Sequence, residues 1–544
     1  MQLTRRTLLL RTTTLAAGLG LLVGCGPSAP GAPTLATTPS TATKGGTLTW
    51  GQWDKNDDVD PALSSGAAAL EVVTNVLEPV VTIDADEKVY PYLASSWSSD
   101  PDYKRWTFIL RDDVTFHDGT KLDSTAVKRT WDRIIDPATK AAGVVSLLGS
   151  IDQVQAPDPR TVVVTFKDPY PLFPVQIWRP YFGILSPKQL DGLKRGDKLT
   201  SLVGTGPYKW STRSADGVVT LELNPDHAWG PPILNNNKAA YMQTLKFRAI
   251  PEDATRVATL ESGENLLIDD VPEVDYARLK GDGRYTFVET PRKGLAIGFF
   301  INVERPPTND VAVRQAINYS VDRKSIVSKV FFGVGTPTVG PLTPGVWGQL
   351  AEVENQYAYD PQRAQQLLDG AGWAVGADGV RSKGGQRLSL TLVTFRSPWT
   401  EIAQILQSQL RTVGMDVQVQ TMERGPYLDF VRKFQHNLCA SAGTDVDPDQ
   451  LRLRYSSSSQ GANFTALKDA RLDDLLNKGS LLPLGSDQRK QTYADIQRRL
   501  MELLPFVSVL SQVRVEGMAN KVHGLQMGPD GLNAEPLLDV SISA

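Results

Sequence analysis

Arg396 and Trp399 are the residue types in this chain best suited to gripping a small organic molecule. A guanidinium presents a planar fork of N–H donors that matches a carboxylate, and an indole offers a flat face to an apolar or planar group. They stand three positions apart in Phe395-Arg396-Ser397-Pro398-Trp399. A plainer reading pairs Arg396 with a surface acid and lets Trp399 staple the start of a helix. Catalytic patterns are missing altogether: there is no Ser-x-x-Lys, Gly-x-Ser-x-Gly, Cys-x-x-Cys or Walker loop. The histidines His117, His227, His436 and His523 are far apart in sequence. The 60 acidic residues guarantee chance carboxylate pairs, so pairing alone argues nothing. No catalytic residue, metal site or cofactor is assigned, and the chain is not read as an enzyme.

The elements that must position Arg396 are legible around it. Leu388, Leu390 and Leu392 alternate as a strand; Ile402, Ile405, Leu406 and Leu410 share one helical face; Gly414 ends that helix; Met415, Val417 and Val419 alternate again. This β-α-β unit implies parallel strands with a right-handed crossover. Ligands of open α/β sheets sit beyond the carboxyl ends of such strands, which is where 395–399 falls.

Chain length and composition frame the rest. A chain of 544 residues exceeds one core and predicts two or three domains. Without the three arginines of residues 1–24 it carries 54 basic and 60 acidic residues, a formal net charge of −6. That balance, with no long basic run, excludes nucleic acid as a partner. Arg5-Arg6 ahead of a short apolar stretch ending at Leu22-Val23-Gly24-Cys25 reads as a signal peptide, because a membrane span needs ~20 apolar residues. The twin arginine predicts export by that route, and the Cys25 context resembles a lipobox in which Cys25 is lipidated; a Sec signal with an incidental cysteine is the alternative. Residues 26–44, rich in Pro, Ala and Thr, predict a flexible tether off a membrane surface. Cys439 then has no cysteine partner and is expected to be a small buried hydrophobe.

Further along, Thr107, Ile109, Val114 and Phe116 alternate with polar residues and predict a half-buried hairpin, with Asp118-Gly119 as its turn. Asp123 or Ser124 caps a following helix that carries Ala126, Val127 and Trp131 on one side. Gly204-Thr205-Gly206-Pro207-Tyr208 lacks the ending of a phosphate loop and reads as structural. Asp310 caps a helix with Val313, Ile317 and Val321 at helical spacing, and Asp360-Pro361 opens another.

Three of these stretches, 106–133, 204–208 and 306–317, resemble landmarks of the family 5 extracellular solute-binding proteins of ABC importers, the dipeptide, oligopeptide and nickel group. The resemblance spans about 45–544 and implies an α/β, two-lobed periplasmic-binding-protein-like fold with an extra inserted domain and a ligand cleft between lobes. It implies lobe I from 45–85, 205–303 and 505–544, an inserted domain at 86–204, and lobe II at 304–504. Trp53 lies where the family's cleft begins, although packing within a lobe explains it equally well. In peptide-binding members an aspartate ahead of an Asp-Pro pair takes the ligand's ammonium group. Asp447-Pro448 matches that pair, Ser441-Ala442 stands where a tryptophan is usual, and Thr444-Asp445 falls about one residue short. The resemblance thus offers Asp445 as ammonium partner, with Trp53, Arg396, Trp399, Thr444 and Asp447 completing the site. It implies a lipid-anchored, monomeric receptor on the extracytoplasmic face of the cell membrane that delivers a solute to a membrane permease. A di- or oligopeptide is the expected ligand; an oligosaccharide or metal chelate is the alternative, and a secreted hydrolase or sensor the reading from another class.

Overall fold

The computed structural model describes residues 43–63, 66–459 and 462–543; the expected signal segment, Cys25 and the tether as far as residue 42 lie outside the described residues. Two mixed sheets form the lobes. The first runs in spatial order Tyr285–Pro291, Val513–Ala519, Leu267–Ile268, Thr47–Gln52, Thr244–Ala249, Val219–Leu223 and Tyr208–Arg213. The second runs Thr336–Pro337, Phe506–Ser511, Gly294–Ile301, Leu438–Thr444, Ser389–Thr394 and Asp416–Thr421. The chain passes between the sheets twice, through Arg292-Lys293 and through Gln512, and the Arg292 N–H donates to the Gln512 carbonyl at 2.8 Å. Strand Gly294–Ile301 is buried along its whole length, as a central strand covered on both faces should be. At its start no Cβ fits: one built on Gly294 would stand 2.0 Å from the Gly443 carbonyl oxygen.

Sheet membership shifts two expected boundaries. Gly294–Ile301 and Phe506–Ser511 pair within the second lobe's sheet, so lobe I gives way at the crossings and not at 303 or 505. A four-stranded antiparallel sheet, Ala94–Ser99, Arg105–Leu110, Thr161–Phe166 and Ile151–Asp158, belongs to the inserted stretch and carries helix Ser124–Ile135. Here the expected hairpin is corrected. Arg105–Leu110 pairs with Ala94–Ser99 and Thr161–Phe166, and buries Trp106, Phe108 and Leu110 while Thr107 and Ile109 are only half-buried. Period-two alternation fixed the strand but not which set faces inward, because the inward residues are the bulkier ones. Asp118-Gly119 instead turns a tighter loop, in which the Phe116 N–H donates to Thr120 O at 2.7 Å and Leu122 N–H to Val114 O at 3.1 Å. Asp123 caps the helix, accepting from the Ala126 N–H, and Ala126, Val127 and Trp131 are buried as expected.

The inserted domain is rooted on Glu78, whose side chain is fully buried. Its Oε1 accepts from the Tyr92 hydroxyl at 3.0 Å and lies 2.7 Å from His227 Nε2; its Oε2 accepts from the Thr205 hydroxyl at 2.6 Å and the Trp229 indole at 2.7 Å. Four donors fill the acceptor sites of one carboxyl group. The Gly-Thr-Gly run is structural too. A Cβ on Gly204 would lie 2.1 Å from Val76 O, and one on Gly206 2.6 Å from Asn75 O, so the run lies flush against the end of helix Ala67–Val76. His117 joins the same root, its Nε2 2.9 Å from Gly206 O, and burial holds the ring down at about 4. Among the described residues no helix is long and apolar enough to cross a membrane. Replacing Glu78 with alanine strands four buried groups from three segments and is expected to cost about 3–5 kcal/mol. Urea unfolding measures this, with Glu78→Gln, which keeps one acceptor oxygen, falling between wild type and Glu78→Ala.

Candidate functional site

Parallel pairing dictates where a ligand can meet side chains from both lobes. In the second sheet Ser389–Thr394 runs parallel to Asp416–Thr421 and to Leu438–Thr444. Gly294, just past the crossing, is paired with Thr444, so all three carboxyl ends point at the crossing. In the first sheet Thr47–Gln52 runs parallel to Leu267–Ile268, which is antiparallel to Val513–Ala519, the strand that leaves the second crossing. Its carboxyl ends point the same way. Trp53, Asp54 and Asp270 on one lobe thus face the loops at Phe395, Met422 and Asp445 on the other.

The lobe I rim rests on buried charge. Asp269 Oδ1 accepts from the Trp53 backbone N–H at 2.6 Å. Beneath it the buried Arg514 pairs with Glu516 and lies 3.5 Å from Asp269 and 3.7 Å from Glu71. Burial raises all three carboxyls, while Arg514 pulls them down. Trp53 itself is half-buried, and its indole Nε1 has no hydrogen-bond partner among the described residues.

On lobe II the loop residue Arg396 is exposed, its guanidinium 5.5 Å from the Phe395 ring centroid and 5.4 Å from that of Trp399. No acidic side chain pairs with it among the described residues. Burial and then the nearby Arg424 hold it below the usual arginine range, while Asp270 and Asp54 across the cleft pull the other way. Trp399 differs from expectation. It is 6 % exposed, starts helix Trp399–Arg411, stacks on Phe395 at 5.4 Å and donates to the Ser441 carbonyl at 3.2 Å. It therefore supports Arg396 from below and belongs to the lobe's core.

The acidic loop differs more. Asp445 accepts from Arg179 of the inserted domain at 2.8 Å, with side chains 15 % and 9 % exposed, so its charge is already matched. Asp447 is buried against Arg489 at 2.7 and 2.9 Å and accepts from the Asp449 N–H. It holds the loop together and is withdrawn as a ligand contact. Thr444 is exposed at the end of its strand. Cys439 is buried and its thiol pushed up by burial, in line with expectation. Next to the loop, Val446 packs with Ile83, Leu172, Val175 and Trp178, so the inserted domain closes on lobe II.

Several residues escaped the sequence reading. Arg292 sits on the crossing 3.7 Å from Asp270, its Nε buried without a hydrogen-bond partner among the described residues. Lys293, also on the crossing, donates to the Ala85 carbonyl. Arg424 starts the helix after Asp416–Thr421. The one signal was Arg179 itself, a lone charge within the apolar run 171–186. Among the described residues no cluster of three or more His, Cys, Asp or Glu is placed to hold a metal ion.

The family model for bacterial extracellular solute-binding proteins, family 5, matches residues 88–464. The chain belongs to that family. Its proteins bind small molecules or peptides and work with the permeases of ABC importers; they are substrate-binding proteins. The chain is 29% identical to the nickel-binding periplasmic protein of Escherichia coli K12 over 440 residues, 78% of this chain and 81% of that one. It is 25% identical to heme-binding protein A of Haemophilus influenzae over 557 residues, 96% and 97% of the two chains. The solved structure of NikA from Brucella suis with Fe(III)-EDTA overlays with a TM-score of 0.80 at 25% identity, covering 92% of this chain and all of that one. These family members share the two-lobed fold described above.

Near the crossing, burial and then the neighbouring Asp530 push the half-buried Glu535 up to about 8. A carboxyl raised on folding gives stability that is full below the unfolded value of 4.5 and lost as pH rises through 8. The thermal midpoint of Glu535→Gln relative to wild type is therefore expected to improve steadily from pH 5 to pH 8 in a melting series, and a flat difference contradicts the assignment.

Proposed function

We propose that this protein is a lipid-anchored extracytoplasmic receptor that captures a small carboxylate-bearing solute between its lobes and hands it to the permease of an ABC importer. The observation that carries the ligand class is Arg396: a guanidinium unpaired among the described residues, propped on Phe395 and Trp399 at a strand's carboxyl end, with Asp270 and Asp54 of the facing rim near enough to act on its charge. A guanidinium in that setting forks onto a carboxylate, and Trp53 offers an indole face across from it. The two adjacent crossings at Arg292-Lys293 and Gln512 supply a hinge about which the lobes close. The Brucella relative's bound Fe(III)-EDTA, itself a carboxylate-rich chelate, supports the reading. A di- or oligopeptide, the ligand expected from the sequence, would satisfy Arg396 with its carboxylate but would find Asp445 taken by Arg179.

Arg396 is exposed and unpaired among the described residues, so Arg396→Ala should leave the fold intact. Losing a charge-assisted contact of about 1.5–3 kcal/mol should weaken ligand binding roughly 10- to 150-fold. Native mass spectrometry identifies the co-purified solute, and calorimetry with that solute reads the loss; unchanged affinity sinks the grip. For the anchor and route, the twin arginine and Cys25 are the support. Cys25→Ala is expected to move the protein from the membrane fraction to the soluble extracytoplasmic fraction. Retention on the membrane counts against lipidation there.

A further inference from the structure

Every carboxylate of the loop at 445–449 has an internal cation: Arg179 for Asp445, Arg489 for Asp447 and Arg452 for Asp449. Arg179 is the unusual one, because it comes from the inserted domain. Its Nη1 is held by Val175 O at 3.1 Å, Gln176 O at 3.2 Å and Gln176 Oε1 at 2.6 Å, and its guanidinium lies 5.6 Å from the Trp178 ring centroid. Its Nη2 reaches out of the inserted domain to Asp445 Oδ1. The Asp447 N–H donates to that same oxygen, so Oδ2 is the oxygen without a hydrogen-bond partner among the described residues, beside a guanidinium that already answers its charge. A ligand ammonium approaching Oδ2 gains little from a neutralised carboxylate and is repelled by the guanidinium beside it. Displacing Arg179 would strand a buried cation, which costs more than an ammonium contact returns.

The cations are balanced differently. Arg396 and Arg424 have no acidic partner among the described residues, and Arg292 has only Asp270 at 3.7 Å, its Nε buried without a hydrogen-bond partner among them. On the facing rim Asp270 and then Asp54 add negative charge near Arg396. Three guanidinium groups on separate elements, the 395–399 loop, the helix Arg424–Arg432 and the crossing, ask for more than one anionic group from a single ligand.

We infer that the cleft takes a small polycarboxylate with no free ammonium group, either free or wrapped around a metal ion, and that Arg179 determines this specificity by filling the cation subsite at Asp445 from within the protein. This rests on the carboxylate grip at Arg396 proposed above. It makes Arg179 a positioning and selecting residue that ordinary ligand mapping would overlook.

The probe pair is Asp-Glu and N-acetyl-Asp-Glu, which carry the same three carboxylates and differ in the ammonium, titrated calorimetrically into the full-length protein in detergent. Propane-1,2,3-tricarboxylate with and without Ni(II) separates a free polycarboxylate from a chelate; tighter binding with the metal assigns the chelate, and equal binding the free acid. The acetylated peptide is expected to bind at least about tenfold more tightly than the free amine, a gap of ~1.4 kcal/mol. Arg179→Gln should erase or reverse that gap. Asp445→Asn, which frees Arg179 for a further ligand carboxylate, should tighten N-acetyl-Asp-Glu, and it keeps the test alive if Arg179→Gln fails to fold. Equal or tighter binding of Asp-Glu by the wild type overturns the role of Arg179, as does a gap unchanged in Arg179→Gln or weaker binding in Asp445→Asn. Failure of all these probes overturns the polycarboxylate class. The receptor reading then stands or falls separately, on whether Arg396→Ala loses the solute that co-purifies with the protein.

Discussion

Glu78 is the point on which the rest of the chain is hung. One buried carboxyl group gathers Tyr92, Thr205, His227 and Trp229, residues that leave and re-enter lobe I on either side of the inserted domain. It acts with other polar ties between the inserted stretch and lobe I, the fork of Arg133 onto the buried Asp60 and the contact of His117 with Gly206; apolar contact is strong but indifferent to direction. Hydrogen bonds from three segments to two oxygens fix an orientation as well as an energy. That orientation matters because Arg179 and Trp178 must arrive opposite Asp445 and Val446 for the inserted domain to close on lobe II.

The second constraint is topological. Two crossings side by side, joined by the bond from Arg292 N–H to Gln512 O, leave the lobes one shared edge. Parallel pairing then brings strand carboxyl ends from both sheets to that edge. Short loops at those ends face one another across the space between the lobes. A cleft follows from the connectivity, and its contents follow from five or six loop residues. The same scaffold can thus serve very different solutes, and the fold alone does not name one.

Local structure was legible wherever a cap or a period acts alone. Asp123, Asp310 and Asp360 cap the helices expected of them, and the β-α-β unit carrying Arg396 has parallel strands in the expected order. Direction along a period was harder: around Arg105–Leu110 alternation is clear, yet Trp106 and Phe108 outcompete Thr107 and Ile109 for the core. Pairing between distant residues was not legible at all. Nothing near Asp445 in sequence announces that Arg179, 266 positions away, neutralises it, and nothing near Asp447 announces Arg489. Acids that look free in a loop are the residues most in need of a partner once buried. Trp399 failed for a related reason: an indole at a helix start beside an apolar strand goes first to the core.

Arg396 escaped that fate because its loop leaves it over two rings with solvent on its far side. Its environment bears on what the proposed closure would add. In water a charge pair at 4 Å is worth about 1 kcal/mol, and near a protein surface with water largely excluded about 4 kcal/mol. The Arg514 cluster below Trp53 keeps the lobe I rim rigid, since moving Trp53 would strip Asp269 of a hydrogen bond inside a set of buried charges. A rigid rim on one side, and a guanidinium propped on aromatic rings on the other, lose little freedom when a ligand bridges them. Affinity can then come from the ligand completing an unbalanced set of charges as water leaves, with no bond made or broken.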